Sequence, residues 1–359
     1  MSHLSERKSK TVFVGLSGGV DSSVCALRLM KQGYNVVGVF IKVWHPDFLV
    51  CNWEQERLDA MRVAAKLGIA FLTCDAQQVY KDDVADYFIG EYKKGKTPNP
   101  DVMCNKYVKF GAFFDFAMAH KADYIATGHY AQNIQENGTY KLLRGTDATK
   151  DQSYFLWTLT QEQLAKVLLP VGDSEKSDIR SEAEKAGLIT AQKKDSQGIC
   201  FLGHIDIPEF LSHYMSLETG VVLNEEGESI GTHNGALVYT KGQRHGFAIT
   251  TSNSLRTPLY VTNRNLEQNT ITVSGEKPMT KTYDKLTLTD LNYIAWTPNI
   301  GSAIEVQTRY RQKPSLCTVT EYTDTTLVLT YNNQGECDSE GQSCVLYDGN
   351  VCCGGGIIA

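Results

Sequence analysis

The residues able to do chemistry in this chain are of two kinds: a glycine–serine turn near the start, and two cysteines set among charges. Ser17-Gly18-Gly19-Val20-Asp21-Ser22-Ser23 follows the apolar, β-branched run 12–16 and precedes a pattern that places Val24, Leu27 and Met30 on one helical face. That is a strand, a tight turn and a helix start. Gly18 and Gly19 carry no Cβ, so the backbone can bend and approach a ligand closely. The free N–H groups and dipole of the helix start form an anion site, and the hydroxyls of Ser17, Ser22 and Ser23 add donors to it. The turn reads as a phosphate cradle. It is not the P-loop, because no lysine follows the glycines, and the dinucleotide fingerprint G-x-G-x-x-G is also missing. Cys104 lies in a proline-bounded loop, Pro98-Asn99-Pro100-Asp101-Val102-Met103-Cys104-Asn105-Lys106, and Cys200 follows Lys193-Lys194-Asp195-Ser196-Gln197-Gly198-Ile199. A nearby cation favours the nucleophilic thiolate; a carboxylate disfavours it but can accept the thiol proton. Cys25, Cys74 and Cys317 read as small buried hydrophobes.

The elements that must position these residues alternate between strand and helix in the first half. Residues 36–43, 70–74 and 124–127 are apolar runs of strand length; residues 54–67, with Gly68 as C-cap, and 79–92 are helical. Such alternation predicts an α/β fold, a parallel sheet covered on both faces. Its ligands bind at the strand carboxyl ends, where Ser17, Ile41 and Gly128 lie. From about Gly220 short alternating segments with Gly and Asn turns take over. Residues 258–262 and 269–273 read as a hairpin; residues 303–310, 315–321, 326–331 and 344–347 read as strands of a small barrel. The expected division is a frayed tail over 1–10, a nucleotide domain over 11–210 with part of 165–200 packing on the central domain, a small β-rich central domain over 211–280 and a C-terminal β-barrel over 281–359.

Composition sets the class. The chain has 359 residues, 42% of them hydrophobic, enough for two or three cores. No window approaches a membrane span and residues 1–10 are polar. The net charge of −6 argues against coating nucleic acid non-specifically, while leaving room for a local basic groove. Ten irregularly spaced cysteines without a C-x-x-C pair read as cytoplasmic thiols rather than a disulfide framework, zinc ribbon or iron–sulfur site.

The loop Ser17–Ser22 resembles the SGGxDS pyrophosphate loop of ATP pyrophosphatases, and both cysteine blocks resemble those of the tRNA-specific 2-thiouridylases. So do Ala126-Thr-Gly-His-Tyr-Ala131, Lys150-Asp-Gln-Ser-Tyr-Phe-Leu156, Thr240-Lys-Gly-Gln-Arg-His-Gly246, Thr308-Arg-Tyr-Arg-Gln312 and Cys353-Gly-Gly-Gly-Ile-Ile358. The resemblance runs nearly end to end. It implies ATP-dependent 2-thiolation of the wobble uridine: adenylation of the uracil 2-oxygen, then sulfur transfer from a cysteine persulfide. By that resemblance Gly15, Leu16, Ser17, Gly18, Gly19, Val20, Asp21, Ser22, Ile41 and Gly128 hold ATP, with Asp21 on Mg²⁺. Cys104 is the nucleophile and Cys200 carries the persulfide; Asp101, three residues from Cys104, is by its position the candidate for assisting proton movement. Asn99, Pro100 and Asp101 face the target base; His129, Lys150, Asp151, Gln152, Arg309, Tyr310 and Gln342 contact tRNA. The implied partners are a tRNA with a wobble uridine and a sulfur-carrier or cysteine-desulfurase-linked donor, for a monomer in the cytoplasm. The family pattern has Met where Ile41 stands, does not align with residues 45–53, and does not require Cys352. Two other readings share part of these residues. One is another ATP pyrophosphatase, an amidating synthetase or tRNA lysidine synthase, which needs no cysteine pair; the other is a non-catalytic tRNA-binding protein.

Overall fold

A computed structural model describes residues 9–49, 53–194, 206–250, 258–281, 284–336 and 338–359. The chain begins with strand β1 (Thr11–Gly15), helix α1 (Val20–Lys31), β2 (Asn35–Lys42), α2 (Trp53–Leu67) and β3 (Ala70–Asp75). A long helical run follows, built from α3 (Gln77–Tyr80), a π-helical stretch (Lys81–Asp86) and α4 (Tyr87–Lys93). A second run consists of α5 (Pro100–Met103), a π-helical stretch (Cys104–Ala112) and α6 (Phe113–Ala119). It leads into β4 (Tyr124–Ala126). With the short β7 (Val167–Leu168), which follows helix α7 (Gln161–Leu164), the strands form a parallel sheet of order β3-β2-β1-β4-β7.

The expected parallel sheet covered on both faces is present, and its strands explain why. Val12, Val14, Val36 and Phe40 point into a core shared with α1 and α2, while Phe13, Val39 and Ile41 point into a second core shared with the helical runs. Strands buried on both faces read as continuous apolar runs, as these do.

Helix α8 (Lys176–Lys185) places Ile179 and Ala183 in the same core as α1, and Leu188 and Ala191 follow. Residues 176–191 therefore pack with the nucleotide sheet. The tie is also polar. Arg28 on α1 pairs with both oxygens of Glu182 on α8 and donates from Nη1 to Pro170 O at 2.8 Å, Ser174 Oγ at 2.9 Å and Asp173 Oδ1 at 3.1 Å. The pairing raises the Arg28 pKa and lowers that of Glu182. Arg28→Ala is expected to cost about 2 kcal/mol, since charged hydrogen bonds across a partly buried junction are lost. Arg28→Lys is expected to recover only part, because an ammonium cannot reproduce the fork. The urea midpoints of the two variants check this.

Two further sheets complete the described residues. The central one, after helix α9 (Ile207–Ser212), is a mixed sheet of order β10-β9-β8-β12-β11, with β8 (Gly220–Leu223), β9 (Ser229–His233), β10 (Phe247–Ile249), β11 (Tyr260–Asn265) and β12 (Thr270–Ser274). The expected hairpin is β11–β12. This sheet docks on α4 through Phe88, Ile89 and Tyr92. Phe48 and Leu49 join the contact, with Phe48 stacked on His213 at 3.7 Å. The unaligned segment 45–53, over its described part, is therefore a docking arm between the nucleotide and central sheets.

The C-terminal strands β13 (Lys285–Tyr293), β14 (Ala303–Gln307), β15 (Ser315–Tyr322), β16 (Leu327–Tyr331), β17 (Ser343–Asp348) and β18 (Val351–Ile358) close into a six-stranded antiparallel barrel through β13–β18 pairing. A hairpin from the first half, β5 (Ala131–Glu136) and β6 (Thr139–Arg144), pairs with β18 and extends the barrel wall. The core around Cys104 runs through this junction and includes Ile294, Val345, Tyr347 and Ile357 of the barrel. Among the described residues no helix is long and apolar enough to cross a membrane.

Candidate active site

The strand order reverses at β1, so β1 and β4 leave a crevice at their carboxyl ends. The glycine–serine turn lies on one side of it. Leu16 N–H donates to Val39 O at 2.8 Å, holding the end of β1 in register, after which the chain turns. Gly18 has φ +70°, and a Cβ there would sit 2.7 Å from Glu56 O on α2. Gly19 caps α1 without a side-chain acceptor, leaving first-turn N–H groups for an anion. Ser22 Oγ accepts from Ser17 N–H at 3.3 Å, and Ser23 Oγ donates to Gly19 O at 2.7 Å. Ser17 is exposed, whereas the Ser22 and Ser23 hydroxyls shape the loop. Across the crevice Gly128 presses against α1: a Cβ would lie 2.8 Å from Asp21 C and Ser22 N. Ile41 is buried with its side chain towards Gly15.

Asp21, in the first turn of α1, accepts from Tyr130 Oη at 2.7 Å and from Lys176 Nζ at 2.7 and 2.8 Å on its two oxygens. Gln152 holds Tyr130 in place, accepting its N–H at 3.0 Å and donating its own N–H to Tyr130 O at 2.8 Å. Lys176 and Tyr130 were not among the expected site residues. Lys176 is 155 positions from Asp21 in sequence, and only the packing of α8 on α1 brings it there. A single carboxylate with neighbouring hydroxyl oxygens is a hard donor set, of the kind that holds Mg²⁺ together with substrate phosphates. Among the described residues no three acidic, histidine or cysteine side chains converge on a metal site.

The Cys104 loop is shaped by its own sequence and then clamped. Asn99 caps α5, its Oδ1 accepting Val102 N–H at 3.2 Å, with Pro100 in the first turn, where its missing N–H is harmless. Asp101 and Cys104, three apart on a helical turn, share a face. The Cys104 side chain is fully buried, and the wide π-helical turn starts at that residue. From the barrel, Gln342 Nε2 donates to Thr97 O at 2.8 Å, and Thr97 N–H donates to Glu340 O at 2.8 Å. Tyr154 Oη donates to Ser343 O at 2.8 Å and shares a hydrogen bond with Asn99. Gln342 thus grips the chain leading into the Cys104 loop.

The other expected RNA contacts are spread around this clamp. Arg309 Nη2 donates to Lys241 O at 2.5 Å and Ser339 Oγ at 3.2 Å, joining barrel to central sheet. Tyr310 is half-buried against Phe155 at 4.4 Å. Asp151 accepts from Gly145 N–H, Ser153 N–H and Arg144 Nη1 at 2.9 to 3.0 Å, so it organises the loop in which Lys150 and Gln152 lie. His129 is buried between Thr127, 2.8 Å from its Nδ1, and Lys109, 3.4 Å from its Nε2. An ammonium can only donate, so Nε2 accepts and Nδ1–H donates to Thr127. Burial, then the Lys109 charge, holds the imidazole neutral, well below its usual pKa. His129 links the nucleotide crevice to the Cys104 helix.

Cys200 lies outside the described residues. The chain leading towards it is anchored at the phosphate loop: Lys193 Nζ is 2.9 Å from Asp59 Oδ2 on α2, and Thr190 Oγ1 is 3.1 Å from Ser23 Oγ. Burial raises the thiol pKa of Cys25, takes Cys74 to about 11 and Cys317 to about 12, in keeping with inert packing. Cys352 is equally buried and raised to about 12.

The parallel sheet, its switch-point crevice and the glycine–serine loop define a nucleotide-binding domain of the ATP pyrophosphatase class. Residues 10–204 match the family model described as a tRNA methyl transferase HUP domain, 208–275 its PRC-barrel domain, and 283–358 an aminomethyltransferase beta-barrel domain. The chain is 46% identical to the tRNA-specific 2-thiouridylase MnmA of Shewanella sp. (strain MR-4), over 97% of this chain and 96% of that protein. It is 45% identical to the MnmA of Shewanella piezotolerans at the same coverage. It is also similar to a solved 4-thiouridine synthetase–RNA complex with bound ATP, at 20% identity and a TM-score of 0.35, covering 57% of this chain and 50% of that one. The chain belongs to the tRNA-specific 2-thiouridylase family.

Proposed function

We propose that this protein thiolates the wobble uridine of tRNA at its 2-position, at the expense of ATP, as a cytoplasmic monomer. The uracil 2-oxygen is a poor leaving group. It attacks the α-phosphorus, the Pα–O bond to pyrophosphate breaks, and the adenylated oxygen can then depart as AMP. The Ser17–Ser22 loop and the start of α1 receive the leaving pyrophosphate, where fixed N–H dipoles offset the charge that accumulates. Mg²⁺ bound with the nucleotide would neutralise phosphate charge beside Asp21.

Sulfur arrives as a persulfide on Cys200, supplied by a sulfur-carrier or cysteine-desulfurase-linked protein. Cys104 thiolate attacks the inner persulfide sulfur, hydrosulfide is expelled, and a Cys104–Cys200 disulfide remains for an external thiol to reduce. Hydrosulfide adds to C2 and displaces AMP, while Asp101 takes a proton on the Cys104 side. The uridine must leave its stack to reach this thiol, which costs a few kcal/mol. Shape and phosphate contacts along the barrel and the Arg244 segment hold the rest of the tRNA.

The observation that carries this reading is the common core: the crevice at Gly15 and the Cys104 helix meet through Phe113 and Ile41, so activation and sulfur transfer occur over one wall. The test is pyrophosphate release from ATP with and without tRNA. Release dependent on tRNA, with AMP as the product, is expected. Release indifferent to tRNA but stimulated by a small carboxylate would favour an amidating synthetase, and no release at all would leave only an RNA-binding role.

A further inference from the structure

We propose that Asn105 reads the target base: its side-chain Oδ1 accepts the N3–H of the uridine that is brought to Cys104. The inference rests on the wobble-uridine reading above and adds to it the group that recognises the uracil ring.

Asn105 follows Cys104 at the start of the π-helical stretch and is only 3% exposed. Its Oδ1 is buried and, among the described residues, meets no hydrogen-bond donor. An amide oxygen buried without a partner carries the full cost of its lost hydration, a cost offset when a ligand supplies the donor. Asn133 shows the structural alternative. Its Oδ1 is also unmet, but its Nδ2 donates to Leu164 O at 2.7 Å and to Val167 O at 2.9 Å, so that amide ties segments of the fold together. Among the described residues no such tie holds the Asn105 side chain.

Position selects the partner. Asp101, Cys104 and Asn105 stand at i, i+3 and i+4 of one helical run, so the two later residues lie over the first. In a uridine N1 carries the ribose, which leaves N3–H as the ring's N–H donor, and N3 is bonded to C2. A ring whose C2 faces Cys104 therefore brings a donor to an acceptor one residue from the thiol. Asn99, the other amide of this block, is already committed: its Oδ1 accepts Val102 N–H at 3.2 Å, and its side chain is bonded to Tyr154. Burial strengthens the selection. A hydrogen bond formed away from water is strong, and a base without the donor leaves the acceptor stranded.

The test is binding of tRNAs that carry uridine, 3-methyluridine or an abasic site at the wobble position to wild type, Asn105→Ala and Asn105→Asp. Melting curves establish that each protein is folded. The methyl group removes the N3 donor and fills the place of its hydrogen. Wild type is expected to bind the 3-methyluridine tRNA about 30-fold more weakly than the uridine tRNA, the scale of a buried acceptor left unmet. Asn105→Ala removes the acceptor and leaves room for the methyl, so the two tRNAs should bind within about threefold of each other. Asn105→Asp keeps an acceptor and should keep most of the preference. A residue that only shaped the loop would weaken both tRNAs alike, so a full preference retained by folded Asn105→Ala would overturn the proposal. Wild type that prefers uridine to the abasic site but tolerates 3-methyluridine would overturn it while leaving the wobble-uridine reading in place. Wild type that binds all three tRNAs alike would remove both.

Discussion

Cys104→Ser is expected to abolish tRNA thiolation while leaving tRNA-dependent pyrophosphate release intact. In the proposed reaction the two halves use different residues. Adenylation would draw on the Ser17–Ser22 loop and Asp21; sulfur transfer would need a thiolate, and a serine hydroxyl cannot open a persulfide. Loss of a nucleophile elsewhere costs on the order of 10⁶-fold in turnover, and thiolation here should fall to background. The Cys104 side chain is fully buried among Val102, Val108 and Phe110, so a hydroxyl in its place costs about 1–2 kcal/mol of stability. Cys104→Ala, which brings no polar atom, separates that penalty from the chemistry. Both variants should release pyrophosphate and neither should thiolate. Thiolation by a folded Cys104→Ala protein would remove this cysteine from the mechanism. Cys200→Ser is expected to behave in the same way, with tRNA binding retained.

Gly128→Ala is expected to lower kcat/KM for ATP by about 10²-fold, the usual cost of displacing a catalytic group by about an ångström. The added Cβ would lie 2.8 Å from Asp21 C and Ser22 N. These are backbone atoms of the first turn of α1, and no side chain can swing aside to make room. Either β4 retreats or the helix start does, and in both cases the anion site and the crevice part. A stability loss of about 1–3 kcal/mol should accompany the change. Gly90→Ala is the matched control: it lies in α4 with nothing within 4 Å, so it should leave ATP turnover unchanged and stabilise the fold by up to about 1 kcal/mol. Steady-state pyrophosphate release measures both. Equal turnover by the two variants would mean that Gly128 does not set the crevice.

Much of the parallel sheet was legible because its strands are buried on both faces and therefore written as unbroken apolar runs. The expected strand over 36–43 is β2, and the helix over 54–67 ending at Gly68 is α2, with Gly68 at φ +68°. The β5–β6 hairpin was readable in principle: Asn137-Gly138, both at positive φ, form the two-residue turn joining Glu136 and Thr139. Its partner was not, because β18 is a glycine run that resembles no strand until β13 and β17 hold it on both sides. The expected strand over 303–310 stops at Gln307, and Arg309 and Tyr310 stand in the turn that follows, where Arg311 has φ +61°.

The site divides along the same line. The phosphate loop is local, so seven adjacent residues carry its signal. Lys176 and the Gln342 clamp on Thr97 are contacts between distant segments, and no spacing in the chain announces them. Gln342 and Arg309, expected as tRNA contacts, hold the Cys104 loop and the central sheet to the barrel.

The most direct measurement is mass spectrometry of nucleosides from tRNA incubated with the protein, ATP, Mg²⁺ and a sulfide source, with the spent nucleotide identified alongside. The account predicts a wobble uridine in which one oxygen has been replaced by sulfur, and AMP formed in step with it. Uridine without sulfur after ATP has been consumed, or ADP as the spent nucleotide, would contradict it.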